Sequence, residues 1–75
     1  MTEELTNSDF AEFVRNMRKA AKMTQAELGE AIEITPATIC RWEKRMNMPS
    51  DIDFSVAIIR DAVKRKIREQ RRKTS

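Results

Sequence analysis

Apolar residues recur along this chain at the spacing of α-helices and not at the alternation of β-strands. The first set follows one face of a predicted helix over about residues 9–22, which Asn7 or Ser8 can cap. Its members are Phe10, Phe13, Val14, Met17 and Ala21. Residues 1–7 contain little to bury, and we expect them to be flexible.

Two short helices separated by a turn are predicted next. Thr24 opens TQAE, a Thr-x-x-Glu capping box whose side chains satisfy free amides at a helix start, so a second helix is predicted over residues 25–32. Thr35 can cap a third helix over about residues 36–44, with Pro36 at the first position, where the missing N–H of proline costs nothing. The inward positions of the pair are Leu28, Ile32, Ile39 and Trp42.

A long last helix is predicted over about residues 51–69. Ser50, with Asp53 three residues later, marks its start. Its inward positions keep the 3.6-residue period and are Ile52, Val56, Ile59, Val63 and Ile67. Residues 70–75 offer nothing apolar, and we expect them to be flexible as well.

The composition favours an all-α fold. The 75 residues are 40% hydrophobic and 36% charged, with one glycine and two prolines, whereas a β protein needs more turn residues and more alternation. We predict one compact domain of four to five helices, with no room for a ligand-sensing module and therefore no small-molecule ligand. No run of 18 apolar residues and no signal-peptide pattern is present, so no membrane contact is expected.

Residue types that support catalysis or metal binding are scarce. The chain has no histidine, and Cys40 is its one cysteine. A disulfide, a metal site, a cofactor and a histidine-based catalytic mechanism are therefore not expected. We predict a protein that is not an enzyme and that works in the reducing cytoplasm.

Positive charge is clustered, although the formal total is only +3. Residues 13–22 contain four basic residues and no acid, and residues 60–75 contain eight basic residues against Asp61 and Glu69. Such clusters indicate a polyanionic partner. The terminal stretch KRKIREQRRK fits three roles equally well: binding phosphates, keeping the last helix hydrated, or contacting a dimer partner.

The order of short helix, turn and proline-started short helix is that of a helix-turn-helix, whose second helix can enter the DNA major groove. The chain resembles phage repressors, Cro-type proteins and related XRE-like bacterial regulators over about residues 10–52, with the motif at 24–45. The matching residues are Arg18, TQAELGEAI, Ile34, Thr35, Ile39, Trp42–Glu43 and Pro49. The family usually has glycine where this chain has Glu33, so we expect about 1 kcal/mol of strain there, or a different turn.

The outward side of the third helix carries the predicted DNA contacts. Those to the bases are Pro36, Ala37, Cys40 and Arg41, and those to the DNA backbone are Gln25, Thr38, Lys44, Arg45 and Asn47. The Arg41 guanidinium can donate two hydrogen bonds to guanine, and its small apolar neighbours suit contact with thymine methyls. The resemblance likewise places the residues matching Pro36, Ala37 and Arg41 at the bases. Amides at the start of the second helix, beside Gln25, suit a phosphate.

Three residues near the motif have competing explanations. By composition Arg18 is a DNA contact, but the resemblance implies a structural ion pair with Glu43, which we favour. Trp42 has a ring that can stack on a base, yet its helical spacing predicts a core position. Cys40 is expected to be a small groove-facing residue and not a redox switch, because only Arg41 lies near enough to activate its thiol.

A second apolar stripe, formed by Phe54, Ile58 and Ala62, lies off the main face of the last helix. It either closes the core beneath the first helix or forms a two-fold dimer interface, and we favour the dimer. Two recognition helices about 34 Å apart then require a palindromic operator.

Together these features predict a homodimeric, sequence-specific regulator that binds double-stranded DNA in the cytoplasm and nucleoid of a bacterial or phage-infected cell. We expect a repressor of its own promoter, as phages and mobile elements carry. Two alternatives remain: an antitoxin that holds a toxin through the stripe and the basic tail, and a non-specific nucleic-acid binder driven by charge.

Overall fold

The computed structural model describes residues 6–74, which form four helices and, within that range, no strand. The helices are α1 (Asn7–Ala20), α2 (Gln25–Ile32), α3 (Pro36–Glu43) and α4 (Ile52–Thr74). The predicted all-α class with a long last helix is confirmed, and α2 has the predicted bounds. Most of the segment 1–7 predicted to be flexible lies outside the described residues, as does Ser75.

The first helix begins and ends earlier than the sequence analysis predicted. Thr6 caps it, in place of Asn7 or Ser8: the Thr6 hydroxyl accepts the Asp9 amide at 3.1 Å, and the Asp9 carboxylate accepts the Thr6 amide at 3.4 Å. This is a second Thr-x-x-acid capping box, which satisfies two amides where a single side-chain cap satisfies one. The helix ends at Ala20 because the chain turns left-handed at Lys22.

Each of the first three helices ends with a residue other than glycine in the left-handed region. These residues are Lys22 (φ 55°), Glu33 (φ 61°) and Arg45 (φ 64°). In each case the following amide donates to a carbonyl five residues back: Met23 to Arg18 at 3.0 Å, Ile34 to Gly29 at 2.7 Å, and Met46 to Arg41 at 2.9 Å. This is the Schellman arrangement, in which glycine is the usual residue because a Cβ is crowded there. The strain expected at Glu33 is therefore present in the geometry, and it has two unpredicted counterparts.

Replacing Glu33 by glycine is expected to raise the free energy of unfolding by about 0.5–1 kcal/mol. Removing the Cβ strain stabilises the folded state by more than the added freedom of glycine stabilises the unfolded chain. For a domain of this size the melting temperature then rises by about 2–8 °C, which a thermal melt followed by circular dichroism measures. Glu30→Gly in the middle of α2 is the matched control and should destabilise the protein. A lower melting temperature for Glu33→Gly would contradict the strain.

The core lies between all four helices. Its fully buried members are Phe10, Val14, Leu28, Ile39, Ile59 and Val63, joined by Ala21, Met23 and Trp42. The Phe10 and Trp42 rings meet edge to face with centroids 5.3 Å apart. Trp42 is 3% exposed, so the predicted core position is confirmed and the ring is not available for stacking on a base.

The last helix differs from the prediction at both ends. Its first-turn amide at Phe54 donates to the Asp51 carboxylate at 3.0 Å, so Asp51 caps it, in place of the predicted Ser50. The helix then continues five residues beyond the predicted end at residue 69, to Thr74. Its apolar face ends at Ile67, but no glycine or proline follows, and Gln70 takes the next inward position. The Gln70 side-chain amide donates to the carbonyl of Ala21 at the end of α1.

Candidate nucleic-acid interface

The turn between α2 and α3 depends on the chain's one glycine. A Cβ built on Gly29 would lie 2.3 Å from the carbonyl oxygen of Ile34 and 3.4 Å from the nitrogen of Pro36. Gly29 therefore lets the backbone after the turn pass directly against α2, so that only three residues separate the end of α2 from the start of α3. This close approach fixes the crossing of the two helices.

The start of α3 is held by threonines. The Thr35 hydroxyl accepts the Thr38 amide at 3.3 Å and lies 2.9 Å from the Thr38 hydroxyl. Pro36 occupies the first helical turn, as predicted. Ile39, Trp42 and Glu43 are buried on the inner side of α3. The helix is thus anchored at its start and along one side, which leaves its other side to solvent.

The predicted base-contacting residues share that outer side. Pro36, Ala37 and Arg41 are exposed and Cys40 is half-buried. Among the described residues Arg41 has no side-chain hydrogen bond or ion pair, and Cys40 is a free thiol. We call these four residues the α3 outer face.

The inner end of α3 is tied to α1 by an ion pair between Arg18 and Glu43. The Arg18 guanidinium donates from Nε to Oε2 at 2.7 Å and from Nη2 to Oε1 at 3.0 Å, and its Nη1 donates to the Met23 carbonyl at 3.0 Å. Glu43 is only 6% exposed. Arg18 is therefore a structural residue, as the resemblance implied, and all three of its nitrogens are occupied.

The electrostatics of this pair follow from its burial. Burial alone disfavours the Glu43 carboxylate, but the hydrogen bonds and charge of Arg18 outweigh it, with smaller contributions from Gln25 and Arg15, and the pKa of Glu43 lies below its usual value. The hydrogen bond to Glu43 raises the pKa of Arg18. Both groups stay charged at neutral pH, and the pair locks α3 to α1.

The residues predicted to contact the DNA backbone lie in three places. Lys44, Arg45 and Asn47 are exposed around the end of α3, where the Asn47 side chain accepts the Met48 amide at 3.0 Å. Gln25 stands at the start of α2, half-buried, and its side-chain amide reaches Glu43 Oε1 at 3.4 Å. Gln25 thus extends the Arg18–Glu43 pair, a contact that the sequence analysis missed. Thr38 is half-buried, with its hydroxyl directed to Thr35.

One further residue supports the loop after α3. The Asn7 side-chain amide donates to the carbonyl of Arg45 at 2.9 Å, linking the start of α1 to the left-handed end of α3. Sequence reasoning missed this contact, because the two residues are 38 positions apart and neither belongs to a shared motif. Asn7 fixes the path of the chain that carries Arg45 and Asn47.

The second stripe of α4 is only partly at the surface. Phe54 is 61% exposed and Ile58 is half-buried, and together with Ile32 of α2 they line one groove. Ala62 is 6% exposed and lies in the packed interior, because α4 turns that position towards Met23 and Ala31. The stripe predicted from sequence is therefore replaced by a patch of Ile32, Phe54 and Ile58, which we call the α4 patch.

Within residues 6–74 no group of three or more histidine, cysteine or acidic side chains could hold a metal ion. In the same range no helix is long and apolar enough to cross a membrane.

Comparison with protein families decides what the α2–α3 unit is. A helix-turn-helix family model of the XRE type matches residues 14–55, more than half of the chain, and the match contains all of α2, the turn and α3. The chain belongs to this family. No curated protein and no solved structure is significantly similar to the chain. Members of the XRE-type helix-turn-helix family bind DNA and regulate transcription, so the protein is a DNA-binding transcription regulator.

Proposed function

We propose that the protein is a sequence-specific repressor that binds a palindromic operator as a homodimer, with α3 in the major groove and its own promoter as a target. The observation that carries this proposal is the two-sidedness of α3. Ile39, Trp42 and Glu43 are buried on one side, while Pro36, Ala37 and Arg41 stand exposed on the other. A short helix held this way presents a side-chain surface that fits the width of the groove.

Arg41 is the residue proposed to read a base. Its guanidinium can donate two parallel hydrogen bonds to O6 and N7 of a guanine, a contact that contributes about 1–3 kcal/mol of discrimination. Pro36 and Ala37 lie one turn nearer the start of α3 and are small and apolar, so they allow a close approach and favour thymine methyl groups. Cys40 adds a small, weakly polar contact beside them.

Phosphate contacts are proposed on both sides of this reading surface. At the start of α2, the Thr24 hydroxyl and carbonyl accept the amides of Glu27 and Leu28, and the two preceding amides point out of the helix end, where they suit a phosphate oxygen. At the end of α3, Lys44 and Arg45 supply charge. Such contacts set the position of α3 on the duplex but carry no sequence information.

Arg41→Ala tests the specific function. An operator is first selected from a random duplex pool, and affinities for operator and random duplexes are then measured by fluorescence anisotropy at about 0.15 M salt. Because both subunits of the dimer lose a bidentate contact of about 1–3 kcal/mol, the variant is expected to bind the palindromic operator at least about 30-fold more weakly, with a much smaller loss on random DNA. Arg60→Ala, an exposed arginine of α4, is the matched control. Equal weakening of Arg41→Ala on all sequences would identify a non-specific binder instead.

Dimerisation is proposed through the α4 patch. Phe54 is one of two large hydrophobic side chains that stand exposed among the described residues, and burying such a ring contributes about 1.5–3 kcal/mol. Glu33, Asp61 and Arg65 also line the groove, with Asp61 and Arg65 paired to each other, so a polar rim surrounds the apolar patch, as is typical of protein interfaces. A two-fold axis repeats α3 on the next turn of the duplex.

Phe54→Ser is expected to weaken self-association at least about 20-fold, because each subunit of the two-fold dimer loses one largely exposed ring from the patch. Sedimentation equilibrium of the free protein measures the dissociation constant. Met46→Ser is the matched control: Met46 is 70% exposed but lies in the loop after α3, and its loss should leave self-association unchanged. A wild-type chain that is monomeric at high micromolar concentration would contradict the dimer. The patch would then be a binding surface for a different protein, which is what the antitoxin alternative predicts.

A further inference from the structure

The end of α4 carries positive charge at a defined place in the fold. Arg68, Arg71 and Arg72 are exposed in its last turns. Two further basic residues come one turn earlier: Arg65 pairs with Asp61, and Lys66 lies close enough to Glu27 to help lower the pKa of that carboxyl, after the larger effect of the Thr24 amide. We call residues 68–72 the α4 end.

The α4 end is attached to the body of the protein although its apolar contacts finish at Ile67. Gln70 occupies the inward position of the last turns, and its side-chain amide donates to the Ala21 carbonyl. A polar residue therefore continues the packing face of the helix by one turn. The arginines on either side of Gln70 are held near the end of α1 and do not trail from a frayed terminus.

The point of attachment lies beside the start of α2. Ala21 precedes the exposed Lys22, and Gln25 at the start of α2 follows within four residues. This α1–α2 corner (residues 21–25) is the side of the motif where the helix start faces a phosphate under the proposed function. Arg71 and Arg72 are the exposed residues that directly follow Gln70, so they bring positive charge to within one helical turn of this attachment point.

We infer that the α4 end is a second DNA-backbone contact, in which Arg71 and Arg72 bind phosphates flanking the base pairs read by α3, with Gln70 as the residue that positions them. The inference rests on the proposed function for its location on the duplex. Guanidinium groups suit this role because they donate in pairs to phosphate oxygens and stay charged at every accessible pH. The contact adds affinity and footprint length without adding base specificity.

The test compares two double variants of equal charge. Arg71→Gln/Arg72→Gln removes the proposed contact. Arg60→Gln/Lys64→Gln removes two exposed charges from the earlier part of α4. At a rise of about 1.5 Å per residue, Arg60 lies roughly 16 Å from Arg71 along the helix axis. Each protein is titrated by fluorescence anisotropy against a duplex with flanks of about six base pairs on each side of the selected operator, at several salt concentrations. Thermal melts of both variants check that α4 stays folded.

The slope of log affinity against log salt is expected to become shallower by about 3.6 for the Arg71/Arg72 variant, since each subunit of the dimer loses two phosphate contacts and each contact contributes about 0.9. The ratio of operator to random affinity should stay unchanged. The Arg60/Lys64 variant should change the slope by less than half as much. Equal slopes for the two double variants would overturn the inference, because net charge alone would then explain both.

Two further measurements locate the contact. On a duplex trimmed to the operator, the difference between wild type and the Arg71/Arg72 variant is expected to vanish, and its persistence would overturn the flanking position. Gln70→Ala keeps both arginine charges but removes the hydrogen bond that holds the helix end. Its slope of log affinity against log salt should lie between those of the wild type and the Arg71/Arg72 variant. A slope equal to that of the wild type would overturn the positioning role of Gln70. Should the wild type select no sequence at all, the proposed function fails, yet the comparison on a long random duplex still decides the phosphate contact.

Discussion

Replacing Arg18 by methionine is expected to lower the free energy of unfolding by about 3–5 kcal/mol, because it leaves the buried Glu43 carboxylate without its partner. The Arg18 guanidinium donates twice to Glu43 and once to the Met23 carbonyl, and Glu43 is 6% exposed. A domain of 75 residues has only about 4–11 kcal/mol in total, so a large part of the population should be unfolded at 37 °C. Urea denaturation followed by Trp42 fluorescence measures the loss.

A double variant separates the ion pair from simple loss of packing. Arg18→Met combined with Glu43→Leu removes both charges and replaces them with apolar groups of similar size. Its stability is expected to return to within about 1 kcal/mol of the wild type, since matched apolar replacement of a buried pair is often neutral or better. A double variant as unstable as Arg18→Met would show that the charge on Glu43 was not the cause.

The pH dependence should reverse between wild type and Arg18→Met. In the wild type the pKa of Glu43 lies below its unfolded value of about 4.3, so its contribution to stability is complete above that pH and is lost as pH falls through the folded pKa. In the variant, burial of the Glu43 carboxyl outweighs the weaker contacts of Arg15 and Gln25 and raises its pKa, so protonation stabilises the folded state. The difference in unfolding free energy between the wild type and Arg18→Met should therefore become smaller below about pH 5. A difference that stays constant with pH would contradict this account.

Gly29→Ala is expected to destabilise the protein by about 3 kcal/mol, although helix propensity alone predicts a gain of about 0.5–1 kcal/mol for the same change. The added Cβ would lie 2.3 Å from the Ile34 carbonyl oxygen, which is backbone and cannot rotate away. The turn must open, and α3 must tilt away from α2. The sign of the change in unfolding free energy therefore decides which effect dominates.

DNA binding gives Gly29→Ala a second readout. The fraction that remains folded should bind the selected operator at least tenfold more weakly, because α3 is presented at a different angle. Glu30→Ala, at the adjacent exposed position of α2, is the control and should change stability by less than about 0.5 kcal/mol. A stable, fully active Gly29→Ala protein would mean that the turn tolerates the methyl group and that the contact has little effect.

Local signals allowed some parts of this structure to be predicted well. The bounds of α2 follow from its capping box at Thr24 and from the turn before Thr35, two signals only a few residues from the helix they delimit. Pro36 specifies the start of α3 in the same way. The two-sidedness of α3 follows from the helical period, because the large apolar residues Ile39 and Trp42 are three positions apart and therefore share one face.

Contacts between distant segments were the part that the sequence could not supply. The bond from Asn7 to Arg45 and that from Gln70 to Ala21 join residues 38 and 49 positions apart. Each hydrogen bond uses a polar side-chain amide that can equally well be exposed to water, so the pattern of apolar and polar positions does not indicate it. The left-handed helix ends at Lys22 and Arg45 were not predicted for a related reason. Glycine is the usual signal for that geometry, and neither position has glycine.

Three helix ends closed by lysine, glutamate and arginine leave this fold with room for protein engineering. Each is a surface position at which glycine relieves backbone strain of about 1 kcal/mol, and none belongs to the α3 outer face. Substitutions that redirect α3 to a new operator often cost stability. Installing glycine at Lys22 and Glu33 first, while keeping Arg45 for its proposed phosphate contact, would give a more stable scaffold on which such libraries of altered specificity could still fold.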